Sequence, residues 1–99
     1  MTISAKKYLE KINGKLTLGK AIRSIRLCDE MSQTAFAKKL KVSSQYLCDV
    51  EHNRKLISAR KAKEFAQILG YSTEQFVALA LQDSLDNDGI RMVVEVKAA

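Results

Sequence analysis

Ser43, Ser44, Gln45, Tyr46 and Asp49 lie close together in the chain, with Gln33 shortly before them and Arg54 and Lys55 shortly after. These side chains bind by hydrogen bonds and charge; none is set up to make or break covalent bonds. A Gln amide pairs bidentately with adenine, and a Ser hydroxyl serves several bases. Asp49 has two readings, as an acceptor from a cytosine amine or as a carboxylate that repels phosphate and excludes wrong sequences. Tyr46 can meet a thymine methyl or a phosphate. A phosphate backbone is held by neutral donors at helix N-termini and by cations at the edges. Gln33 and Ser43 are the candidate donors, and Arg54 and Lys55 the candidate cations. Ser44, Gln45, Tyr46 and Asp49 are therefore the expected base contacts, and Gln33, Ser43, Arg54 and Lys55 the expected phosphate contacts.

The rest of the composition narrows the field. No paired carboxylates, nucleophile–His constellation or glycine-rich phosphate loop occurs, so an enzyme is not expected. Cys28 and Cys48 form no C-x-x-C and are expected as small buried hydrophobes, and His52 has no partner at metal spacing. No metal or cofactor is expected. The longest apolar run, Phe76–Leu81, is far too short to span a bilayer. The N-terminus lacks an apolar core like that of a signal peptide, so a cytoplasmic protein is expected. Charge is uneven. Residues 1–70 carry 15 Lys and Arg against 6 Asp and Glu, a net of +9, whereas residues 71–99 carry 2 against 5, a net of −3. A basic front suits a polyanion; an acidic, apolar rear suits a protein partner.

The elements that must position these residues follow from periodicity and caps. The 99 residues include no Pro and only 4 Gly, which favours helix. Residues 4–12 are expected as a short helix ended by Asn13-Gly14. Thr17 caps a helix whose apolar stripe is Leu18, Ala21, Ile22, Ile25 and Cys28. Ser32 caps residues 33–40, Lys41 sits in a tight turn, and Ser43 caps 44–52. Phe36, Ala37, Leu40, Val42, Leu47 and Val50 form the seam between these two short helices, with small Ala37 at the crossing. Such short helices are not stable alone, so flanking helices must supply their core. This is a helix-turn-helix pattern over residues 32–54, whose second helix would present its N-terminal residues to base edges in the major groove. Ser58 caps a fifth helix ended by Gly70, and Thr73 a sixth that is apolar nearly all round. An extra buried side on that helix implies a subunit interface. From Ile90 to Lys97, apolar and polar residues alternate as in a β-strand, which would need a partner strand from another chain.

Leu18…Ile22…Ile25-Arg26, Ser32-Gln33, Phe36-Ala37…Leu40, Val42-Ser43, Leu47…Val50-Glu51, Arg54 and Leu69-Gly70 resemble the Xre family of phage-repressor-like helix-turn-helix proteins. The resemblance covers about residues 17–76. It implies a dimer bound to an inverted repeat of double-stranded DNA. It matches Gln33 to a phosphate contact, Ser44, Gln45 and Asp49 to base contacts, and Arg26 with Glu51 to an internal salt bridge. Two departures stand out: Lys41 replaces the family's turn Gly, and Asn53 with Leu56-Ile57 replaces a Gly and a later Pro.

The expected fold is mainly α, a five-helix repressor-like domain with a short N-terminal helix and a C-terminal β-strand. Residues 1–16 form the arm, 17–85 the DNA-binding domain, and 86–99 a turn and strand for dimer or partner contact. Phe76, Val77, Leu81, Met92, Val94 and Val96 are the expected interface residues. The short N-terminal helix, apolar sixth helix and C-terminal strand, with no room after Gly70 for a ligand-binding domain, look most like HigA-like and HipB-like antitoxins. The expected function is a transcriptional repressor that is the antitoxin of a type II toxin–antitoxin module, represses its own operon, forms a homodimer and has a cognate toxin as partner. The alternatives are a stand-alone phage-type regulator or a protein-interaction adaptor.

Overall fold

Hydroxyl side chains open each helix of the described chain. The computed structural model describes residues 15–99, and the expected helix at 4–12 lies outside them. Five helices follow one another: α1 (Leu18–Cys28), α2 (Gln33–Leu40), α3 (Ser44–Glu51), α4 (Ala59–Leu69) and α5 (Thr73–Asn87). Thr17, Ser32, Ser43, Ser58 and Ser72 stand before them in extended backbone. Each hydroxyl oxygen accepts from the backbone N–H three residues on, at 3.0–3.3 Å. Each such cap stabilises by about 1 kcal/mol. The last one is Ser72, not the expected Thr73, because Thr73 is already the first helical residue.

The helices also share one way of ending. A left-handed residue follows each within two positions: Glu30 (φ 54), Lys41 (φ 62), Asn53 (φ 58), Gly70 (φ 76) and Gly89 (φ 73). The next N–H then reaches back five residues, as in Val42 to the Ala37 carbonyl (3.0 Å) and Arg54 to the Asp49 carbonyl (2.8 Å). This satisfies carbonyls that the helix end would otherwise leave unpaired. Three of the five residues are not Gly, and each costs about 1 kcal/mol of backbone strain. Lys41 therefore holds the left-handed turn conformation that glycine would adopt more easily.

Leu18, Ile22, Phe36, Leu47, Val50 and Phe65 are the largest side chains sealed from solvent. They come from α1 to α4, with Phe76, Leu79 and Ala80 closing the core from α5. Ala37 lies fully within it, where α2 meets α3. At Gly19, α1 rests on the C-terminal end of α3 so closely that a Cβ there would lie 1.9 Å from the Val50 carbonyl oxygen. Asp83 of α5 accepts from the Leu18 N–H at the start of α1 (2.9 Å), where helix dipole and carboxylate attract. Asp86 adds an ion pair with Lys15. No helix among the described residues is long and apolar enough to cross a membrane.

The expected C-terminal β-strand is not found: residues 90–99 carry no strand. The alternation is real, but no partner strand lies among the described residues. The Gln82 side chain takes that place, its amide donating to the Met92 carbonyl (2.7 Å) and its oxygen accepting from the Val94 N–H (2.9 Å). Val94 and Val96 become half-buried, while Met92 and Val93 remain 65% and 88% exposed. Cys28 is likewise exposed rather than buried. It lies on the apolar stripe by spacing, but at the last residue of α1, beyond the edge of the core.

Candidate nucleic-acid interface

The three-helix junction that orients α3 is built on one buried carboxylate. Glu51, the last residue of α3, is 4% exposed. Arg26 of α1 grips it twice, through Nε (2.7 Å) and Nη2 (2.9 Å), and donates a third bond to the Met31 carbonyl (3.0 Å). Gln33 of α2 donates to the same carboxylate at 3.0 Å. Burial alone would raise the Glu51 carboxyl. The hydrogen bonds from Arg26 and Gln33, with the charges of Arg26 and Arg23, outweigh it and hold the group below its ordinary range. The bond to Glu51 in turn raises Arg26. One residue from each of α1, α2 and α3 thus meets at this point, and the angle between α2 and α3 is fixed there by charge-assisted bonds as well as by packing.

The outer face of α3 carries a second cluster. Ser44 and Gln45 are exposed in its first turn, and the Ser43 hydroxyl oxygen caps it by accepting from the Tyr46 N–H. Gln45 Nε2 donates to Asp49 Oδ1 at 3.0 Å, one turn along. Arg54, just past the left-handed Asn53, donates from Nε to the same oxygen at 3.1 Å and pairs through Nη2 at 3.0 Å. The bonds to Asp49 and to the Cys48 sulfur raise the Arg54 pKa, and its guanidinium is charged at any working pH. Gln45, Asp49 and Arg54 therefore form one chain of side chains on an accessible surface.

Tyr46 and Lys55 make a third group. The Tyr46 and Phe65 rings pack edge to face with centres 6.3 Å apart, and the Lys55 ammonium lies over the Tyr46 ring, 5.2 Å from its centre. Burial, with the charge of Glu64, pushes the tyrosine hydroxyl up. Tyr46 is thus half-buried, in contact with both an aromatic and a cation. Gln33 likewise spends one N–H on Glu51 and keeps its second for an external acceptor.

The expected base and phosphate residues lie on α3, at its N-terminus and in the loop after it, except Gln33, which opens α2 and reaches Glu51. The expected interface residues are dispersed. Phe76 is buried and stacked on Tyr71 at 5.8 Å, Val77, Val94 and Val96 are half-buried, and Leu81 and Met92 are exposed. Sequence reasoning missed Gly19 and Asp83, which place α1 against α3 and α5. Their partners are 31 and 65 residues away, and no local spacing signals such contacts.

A basic front, an exposed amide and hydroxyl at the start of a short helix, and a second short helix locked across it are what a major-groove reader needs. Residues 22–76 match the helix-turn-helix family. No curated protein and no solved structure matches the chain. The family match spans more than half of the 99 residues and encloses α2, α3 and the turn between them, so the protein belongs to the helix-turn-helix family and is a DNA-binding transcription regulator.

Proposed function

We propose that the protein is a sequence-specific repressor that binds an inverted repeat as a homodimer and acts as the antitoxin of a toxin–antitoxin pair, repressing its own operon. The observation that carries sequence-specific binding is the exposed first turn of α3, where Ser44 and Gln45 stand free of the core while Glu51 anchors the far end. Ser44, Gln45 and Tyr46 face the bases in this account, with Asp49 beside Gln45 on the same helix face and Gln33, Ser43, Arg54 and Lys55 at the phosphates. Dimensions allow a dimer on adjacent half-sites. The domain measures 35 × 33 × 25 Å, and half-sites one DNA turn apart are about 34–36 Å from centre to centre. Residues 17–85 act as the DNA-binding domain, with residues 1–16 and 86–99 as accessory segments.

The antitoxin role draws support from the acidic rear of the chain. Leu81, Ile90, Met92 and Val93 are exposed there, 40–88% each, in a region of net negative charge. Such a surface suits a basic protein partner or a second copy.

The test is binding to duplex DNA from upstream of the protein's own reading frame, with co-purification of the product of the neighbouring frame. Specific, salt-dependent binding and a stable complex are expected. Changing Gln45 to Ala should cost about 1–3 kcal/mol on the specific duplex. Failure to bind that DNA removes autoregulation, and absence of any protein complex removes the antitoxin role.

A further inference from the structure

Asp49 Oδ1 accepts from both Gln45 and Arg54, and that arrangement determines what Gln45 can read. A primary amide offers two N–H donors and one carbonyl oxygen. Gln45 gives one N–H to Asp49 Oδ1. A carboxylate only accepts, so the amide cannot turn over without setting oxygen against oxygen. Its second N–H and its carbonyl remain for a ligand. One donor beside one acceptor is the pair that the major-groove edge of adenine requires, through N7 and the N6 amine. Guanine presents two acceptors, O6 and N7, and would leave the Gln45 carbonyl without a donor.

Charge makes the same case. A bare carboxylate on a helix entering a groove walled by phosphates would be repelled. Asp49 is paired with Arg54, so it can stand there. It is also only 28% exposed, whereas Arg54 is 54% exposed and extends outward from it. We propose that Asp49 is a positioning residue and not a base reader: it fixes the Gln45 amide for adenine, while Arg54 neutralises its charge. The inference rests on the DNA-reading role of α3 proposed above.

A bland role is available to the same atoms. A Gln–Asp pair one turn apart stabilises a helix surface by a few tenths of a kcal/mol with no ligand at all. The experiment must separate the two. Full-length protein is allowed to select from a pool of randomised duplexes, and affinity is then measured on the selected duplex and on its single-base variants. Wild type, Gln45→Ala, Asp49→Ala, Asp49→Asn and Gln45→Ala/Asp49→Ala are compared, with helix content followed by circular dichroism.

Wild type should select adenine at one position of each half-site, and Gln45→Ala should lose that preference by roughly tenfold or more. Asp49→Ala should relax the same position and no other, and the double variant should be no worse there than Gln45→Ala. Asp49→Asn keeps an acceptor oxygen facing Gln45 and should restore the adenine preference. A relaxed position different from that of Gln45 makes Asp49 a base reader and overturns the proposal. Unchanged adenine preference in Asp49→Ala, with only a shifted melting temperature, leaves the bland helix pair and overturns it too. If no duplex is enriched from the pool at any salt, the DNA-reading role of α3 fails, and the inference falls with it.

Discussion

Replacing Glu51 with Ala tests whether one carboxylate sets the angle of the recognition helix. The change strips two bonds from Arg26 and one from Gln33. Arg26 keeps its bond to the Met31 carbonyl, but its side chain is only 11% exposed. Removing one partner of a buried pair costs roughly 3–5 kcal/mol, most of it from stranding the other charge. The bond to Met31 and the edge position of Arg26 place the loss near the low end, about 3 kcal/mol. For a domain of this size that is a fall of about 12–24 °C in melting temperature. Urea unfolding followed by circular dichroism measures it, with an unchanged m-value showing that only stability moved. The double change Arg26→Met/Glu51→Met removes both charges and should recover most of the loss. Titration adds an independent check. The folded Glu51 carboxyl lies below its ordinary value, so its contribution is fully present above the unfolded value of about 4.3 and is lost as pH falls through the folded value. In Glu51→Gln that component of acid destabilisation should vanish. A loss under about 1 kcal/mol for Glu51→Ala, or an acid profile identical in Glu51→Gln, would refute the idea that this junction is held by charge.

Four further outcomes are expected. Gly19→Ala needs its Cβ to move more than 1 Å from the Val50 carbonyl, so it should destabilise by roughly 1–3 kcal/mol in thermal unfolding, against the usual gain from Ala in a helix. Lys41→Gly should stabilise by about 0.5–1 kcal/mol, because glycine adopts φ 62 without the Cβ clash; equal melting temperatures would count against strain there. Arg54→Ala should weaken all duplexes about equally and make the log–log salt slope shallower by about 1 in anisotropy titrations, whereas a loss confined to one sequence would contradict a phosphate role. Gln82→Ala should leave helix content intact but release the tail, seen as faster amide hydrogen exchange at Val94; retained protection there would mean that the valines alone hold the segment.

Much of this was visible in the chain, and for definable reasons. Caps and helix periods are local, so Thr17, Ser32, Ser43 and Ser58 announce their helices, and Ala37 and Phe36 read correctly as seam residues. Left-handed endings were legible at Asn53 and Gly70 but not at Glu30, where nothing in the residue type signals positive φ. The tail misleads because alternation of Ile90, Met92, Val94 and Val96 reports propensity alone, while a strand also needs a neighbour; a single glutamine side chain supplies that hydrogen bonding instead. At the site, residue types pointed to α3, yet the sharing of Asp49 between Gln45 and Arg54 depends on the chain reversal at Asn53. Gly19 matters only because Val50 passes it, a contact that no spacing within α1 reveals.

Backbone and side-chain amide shifts, mapped by nuclear magnetic resonance as a duplex carrying the selected sequence is added, test the central claim most directly. The account predicts the largest changes at Ser43, Ser44, Gln45 and Tyr46, at the side-chain amides of Gln33 and Gln45, and at Arg54. Changes centred on Leu81 and Met92, with the first turn of α3 silent, would contradict it.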